Sequence, residues 1–190
     1  MGLSAPVREA SLIAARNGDR DYILVDKERG EIFMFQDGKP VFRDSALTGL
    51  SLADRLPPGA LEQPFTQNPK PEEKITPAGR FTVAMEDDPR YGPTLAVNEI
   101  QGKDWDIAIH KVFLGVPRER RGARLASSNG REKHITWGCV DVSGETMKHL
   151  VEAVPNEDST PLYILPYDQT NLAAFFPPLR PAARTASQVE

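Results

Sequence analysis

The chain has 190 residues, 39% of them hydrophobic and 26% charged, with a formal net charge of −4. That length suits one domain with tails to spare, and the acidic balance argues against a nucleic-acid partner, which would call for a basic face. No apolar run approaches the ~18 residues of a membrane span, and the single cysteine excludes an intrachain disulfide.

Residues 1–20 show no positive start followed by an apolar core, so no signal peptide is visible. They carry the alanine-rich, helix-compatible patch REASLIAARN, read as a short cap or a frayed end. DYILVD and EIFMFQ are β-type runs, QDGK (36–39) carries the Asp-Gly signature of a tight hairpin, and PVFRDSALTG continues the meander to Gly49.

From Leu50 to Lys74 the chain holds five prolines and no sustained period. A stretch this long is either a surface insertion or a functional loop. Strand-like runs resume with GRFTVAM, TLAVNEI and WDIAIH, the last ending at His110. The basic stretch RERRGARLASSNGREK (118–133) reads as an irregular loop, solvated or placed to hold an anionic substrate. HITWGCVDV reads as a strand. SGETMKHLVEAV then reads as an amphipathic helix, with Ser143 at the N-cap and Met147, Leu150, Val151 and Val154 on its apolar face. PLYILP closes the set, and a proline-rich, then polar tail follows.

The expected division is an N-terminal extension over 1–20, one domain over 21–168 and a tail over 169–190. The expected fold class is mainly β, a sandwich or partly closed arrangement of mixed sheets with one packed helix at 143–154 and long loops.

Cys139 follows Gly138 and Trp137, and it is either inert packing or a nucleophile. A nucleophilic thiol needs a base or cation beside it, because the thiolate attacks. His149 falls between the apolar positions of the helix and is expected to face solvent. His134 precedes Cys139 by five residues, which would set the two on opposite faces of one strand; it is a candidate to line a groove rather than a partner. His110, on the face of its strand opposite Ile107 and Ile109, can meet a cysteine from a neighbouring strand, or be a structural histidine. Gly138 allows close approach of a substrate backbone, and N–H groups around Gly138 and Cys139 are candidates to face an oxyanion; a bulge is the structural alternative. One Cys and three scattered His show no paired ligand spacing, so neither metal nor cofactor is expected.

Four segments in order resemble the L,D-transpeptidase catalytic domain (YkuD-like) family. They are the hairpin ILVDKERGEIFMFQDGKPVFRDSALTG, the TP-small-G-x-F segment ITPAGRFTV, IAIH ending at His110, and TWGCVDV. HITWGCVDV is close to the subgroup pattern RIT-aromatic-GC-aliphatic-N-V, and LYILP matches its closing strand. The resemblance spans roughly Tyr22 to Pro166. Two departures stand out: His110 and Cys139 lie 29 positions apart, longer than in many members, and Asp141 stands where Asn or Arg is usual.

The resemblance implies a mainly β fold and an acyltransferase of peptidoglycan cross-linking and cell-wall biogenesis. Cys139 would attack a tetrapeptide stem as nucleophile, with His110 as base and then acid, and D-alanine would leave a thioester. A diamino-acid amine of a second stem would be the acceptor. Water as acceptor would make the protein an L,D-carboxypeptidase or a hydrolase releasing wall proteins; a catalytically inactive wall-binding module is the non-enzymatic alternative. Thr136 is a candidate to donate a hydrogen bond near the thiol, Trp137 to stack on substrate or pack in the core, and Asp141 to hold substrate or loop. The implied location is the periplasm or cell envelope.

Overall fold

The computed structural model describes residues 2–59, 69–98, 107–154 and 160–177. Its strands are β1 (Tyr22–Asp26), β2 (Glu31–Gln36), β3 (Lys39–Gly49), β4 (Gly79–Asp88), β5 (Gly92–Asn98), β6 (Ala108–Lys111), β7 (His134–Thr136), β8 (Val140–Val142) and β9 (Thr160–Leu165). The helices are α1 (Ala5–Arg16), α2 (Arg121–Ala126) and α3 (Gly144–Ala153). The strands form one nine-stranded mixed sheet in the order β2-β1-β9-β4-β5-β6-β8-β3-β7. An additional β2–β3 pairing joins the two ends of the order, so the sheet closes on itself and β7 adds outside β3.

Local chemistry explains the meander. Asp37 (φ 51°) and Gly38 (φ 72°) both take left-handed backbone at the β2–β3 turn, the geometry a two-residue hairpin of matching twist requires. β3 is long enough for two jobs. Its first half pairs with β2, and its second half pairs with β8 through Ala46 and Leu47 and with β7 through Thr48 and Gly49.

Two apolar layers sit on opposite faces of β1, β2 and β9. Ile23, Val25, Ile32, Met34, Leu162 and Ile164 point into the larger cluster, which also takes Met147, Leu150 and Val154 from the α3 segment. Tyr22, Leu24, Phe33, Phe35, Tyr163 and Leu165 point the other way, against Val7, Ala10 and Ala14 of α1 and against Leu172 and Phe176. Burial on both faces is why YILVD, IFMF and LYIL read as unbroken apolar runs rather than alternating ones. The helix at 143–154 forms as expected: the Ser143 hydroxyl accepts from the Thr146 N–H at 3.0 Å and caps the first turn.

Several expectations need correction. The segment 134–142 is not one strand; it breaks after Thr136 and resumes at Val140. Within 118–133, expected to be irregular, lies α2, with 3-10 turns at Pro117–Glu119 and Gly130–Lys133 on either side. The patch read as a cap or frayed end is a 12-residue helix whose buried face belongs to the second core layer. Leu172 and Phe176, expected in an extended tail, are buried in that same layer. Residues 60–68 of the proline-rich stretch, the region between Asn98 and Ile107, and the tail beyond 177 lie outside the described residues.

Candidate active site

The strand break is where the cysteine sits. Gly138 has φ 139°, and a Cβ there would lie 2.8 Å from the Ile75 carbonyl oxygen and 3.3 Å from Ile107 Cδ1. Only glycine fits that turn. Three hydroxyl-mediated bonds hold it. The Thr136 hydroxyl donates to the Cys139 carbonyl at 2.6 Å and accepts from the Gly138 N–H at 3.2 Å. The Thr76 hydroxyl donates to the Gly138 carbonyl at 2.7 Å. The Gly138 N–H, expected to face an oxyanion, is therefore committed to Thr136, and the Thr136 hydroxyl serves the backbone rather than the thiol.

Beyond the break the chain enters β8, parallel to β6, with Ile109 opposite Val140 and His110 opposite Asp141. Strand alternation places Cys139 and Asp141 on one face, and Cys139, His110 and Asp141 line one cleft of about 210 Å³. Ile109 and Val140 point instead into the larger core cluster. Tyr91, Phe113, Val116 and Trp137 complete the apolar part of the cleft wall.

His110 is clamped from three sides. Its Nδ1 lies 2.9 Å from its neighbour's carbonyl oxygen, that of Lys111. Its Nε2 lies 3.5 Å from Asp141 Oδ1. The Tyr91 ring stacks on the imidazole with centroids 4.0 Å apart and 16° between planes, and the Arg90 guanidinium lies over Tyr91 and Phe113. Asp141 is fully buried, and its Oδ2 accepts from Arg121 Nη1 at 2.7 Å. Arg121 Nε in turn donates to Glu119 Oε2 at 2.7 Å. Burial pushes the Asp141 carboxyl above its ordinary range, with His110 and Arg121 opposing that push. Burial also pushes the Tyr91 phenol up, with Arg90 opposing and Cys139 and Asp141 adding to the rise.

The remaining sequence candidates fall in different places. Trp137 lines the cleft at its rim, 38% exposed, with Lys74 Nζ 4.6 Å from its ring centre; it is not core packing. His134 does not line the cleft. It is buried, its Nδ1 is 3.0 Å from Thr48 Oγ1, and its ring meets Tyr167 edge-on. The reading that it is no partner for Cys139 stands, and the groove-lining suggestion does not, because its side chain packs toward Thr48 and Tyr167. His149 is exposed on α3, beside the Phe42 ring.

Sequence reasoning assigned no role to Tyr91, Arg121 or Thr76. Arg121 lay within a basic run noted as a candidate anion holder, and Thr76 lay within the quoted ITPAGRFTV segment; Tyr91 carried no signal. Among the described residues no cluster of His, Cys, Asp or Glu could hold a metal ion, and no helix is long and apolar enough to cross a membrane.

The sequence model of the L,D-transpeptidase catalytic domain (YkuD) matches residues 20–164. No curated protein matches the chain. Among solved structures, an Enterococcus faecium L,D-transpeptidase mutant is 17% identical with a TM-score of 0.45, over 77% of this chain and 50% of that one. An L,D-transpeptidase from Xylanimonas cellulosilytica is 16% identical with a TM-score of 0.47, over 77% and 60%. The match thus spans about half the length of these proteins. The catalytic domain of the E. faecium enzyme is 19% identical with a TM-score of 0.47, over 76% of this chain and 95% of that one. The assignment rests on the family match, which takes in both His110 and Cys139 and most of the chain: the chain belongs to the L,D-transpeptidase catalytic domain family.

Proposed function

We propose that this protein is a cysteine-dependent L,D-transpeptidase that cross-links peptidoglycan stem peptides in the cell envelope. The observation that carries the reading is the meeting of Cys139 and His110 in one cleft, each delivered by a strand end, in a chain of this family. His110 takes the thiol proton, and Cys139 Sγ attacks the carbonyl carbon that joins the L-centre of a tetrapeptide stem to D-alanine. The tetrahedral adduct collapses, the C–N bond breaks, and the imidazolium returns its proton to the departing D-alanine amine. A thioester remains. The side-chain amine of a diamino-acid residue in a second stem then attacks it, the new amide forms, and the thiolate leaves with the proton handed back through His110. No cofactor enters these steps.

The test is intact-protein mass spectrometry with disaccharide-tetrapeptide. The unmodified protein should gain the mass of the acyl fragment and release D-alanine, while Cys139→Ala should gain nothing and His110→Ala should acylate at least ~100-fold more slowly. A cross-linked dimer in the supernatant establishes the transpeptidase. Tripeptide alone makes the protein a carboxypeptidase. Absence of both the adduct and turnover removes the catalytic reading.

A further inference from the structure

We propose that Asp141 is a positioning residue for His110, holding on Nε2 the proton that the imidazole takes from Cys139. The inference rests on the cysteine–histidine reading above and deepens it. A backbone carbonyl can only accept, so the 2.9 Å contact with the Lys111 oxygen places a proton on His110 Nδ1. A neutral ring of that tautomer has only a lone pair at Nε2, and Nε2 faces Asp141 Oδ1 at 3.5 Å.

Among the described residues Oδ1 is buried with no hydrogen-bond partner, while Oδ2 is held by Arg121. Two lone pairs facing each other out of water repel, and a proton between them turns the contact into an attraction. The thiol of the same cleft supplies it. The S–H bond breaks, an Nε2–H bond forms, and the charge is conserved as thiolate and imidazolium, the cation paired with Asp141. Among the described residues, the other charged or titratable groups facing this pair are Arg121, with Glu119 behind it, and Tyr91, with Arg90 over its ring. Arg121 favours the ionised carboxylate and so opposes the upward push of burial on Asp141.

Geometry also says why an amide would not serve. Arg121 requires an acceptor at the Oδ2 position, so an asparagine would turn its NH2 toward His110. That NH2 would donate to Nε2 and occupy the lone pair the thiol proton needs.

The test is the pH dependence of Cys139 alkylation by iodoacetamide, which needs no peptidoglycan. In the unmodified protein the thiolate should persist well below the ordinary thiol value of about 8.5. In Asp141→Asn, with thermal midpoint measured alongside, the alkylation midpoint should move up by at least about one pH unit. An unmoved midpoint in folded Asp141→Asn overturns the proposal. Should that variant not fold, nitrogen NMR of the histidine-labelled unmodified protein decides: at the lowest pH at which Cys139 is still alkylated, His110 should carry protons on both nitrogens, and a ring protonated only at Nδ1 there overturns the proposal. A shifted midpoint without acyl transfer from stem peptide would retain this inference and remove the proposed reaction. Acyl transfer with an unmoved midpoint would do the reverse.

Discussion

At the scale of single residues, the turn that carries Cys139 depends on a threonine 62 positions from Gly138 in sequence. Thr76 accepts from the Gly49 N–H at 2.8 Å, donates to the Gly138 carbonyl at 2.7 Å, and offers its own carbonyl to buried Lys27 at 2.8 Å. It therefore ties the end of β3 to the residue before Cys139. Thr76→Val keeps the shape and removes the hydroxyl, leaving a buried donor and a buried acceptor unpaired. The expected loss is about 2–4 kcal/mol of stability, read as a lower urea midpoint at unchanged slope. Thr76→Ser should restore most of it. An unchanged midpoint in Thr76→Val would mean that water replaces the hydroxyl. That Cys139 and His110 could meet was legible in the sequence because each stands at the end of a strand-like run, and the two line one cleft. Asp141 was legible only as a departure from the family pattern. Its pairing with Arg121 could not be read, because Arg121 lies 20 positions earlier and no local periodicity links the two.

At the scale of elements, β7 is pinned to β3 by a histidine. Thr48 pairs with His134 in the ladder, and their side chains meet at 3.0 Å. Burial holds His134 below its ordinary value of 6.5; a hydrogen bond to the Gly49 backbone opposes this, and Lys27 adds to it. The unfolded chain therefore binds a proton near pH 6.5 that the folded chain refuses until a lower pH, so this group subtracts stability as pH falls through that window. Urea midpoints should fall between about pH 7.5 and 5.5, and the fall should be smaller in His134→Gln. Equal falls in both proteins would assign the acid sensitivity elsewhere. The same region shows where elements were and were not legible. β1, β2, β9 and α3 announced themselves through apolar runs, a hairpin turn and an N-cap. α2 spans only six residues and has no buried residue of its own, so it carries no apolar period to detect. Its first residue is held by Asp141 and Glu119 instead.

At the scale of the whole molecule, the parts outside the family match complete the core. The match runs over residues 20–164, yet the second apolar layer takes Val7, Ala10 and Ala14 from before it and Leu172 and Phe176 from after it. Composition alone made these segments look peripheral: one is alanine-rich and the other leads into a polar tail. Alanines can form a buried helix face because small side chains let α1 approach the sheet closely, while Tyr22, Phe33, Phe35 and Tyr163 supply the bulk from the strand side. A chain trimmed to residues 20–164 would expose those four aromatics together with Leu24. At about 1.5–3 kcal/mol for each large side chain returned to water, that loss rivals the ~5–15 kcal/mol that usually holds a domain together. The trimmed chain should therefore collapse without fixed packing, binding a hydrophobic dye and losing its near-ultraviolet circular dichroism. Leu172→Ala and Phe176→Ala in the full chain provide the graded version, each lowering stability by about 2–5 kcal/mol. If the trimmed chain unfolded cooperatively at the full chain's midpoint, the second layer would be a covering rather than a core, and the sheet that carries Cys139 and His110 would stand on its inner face alone.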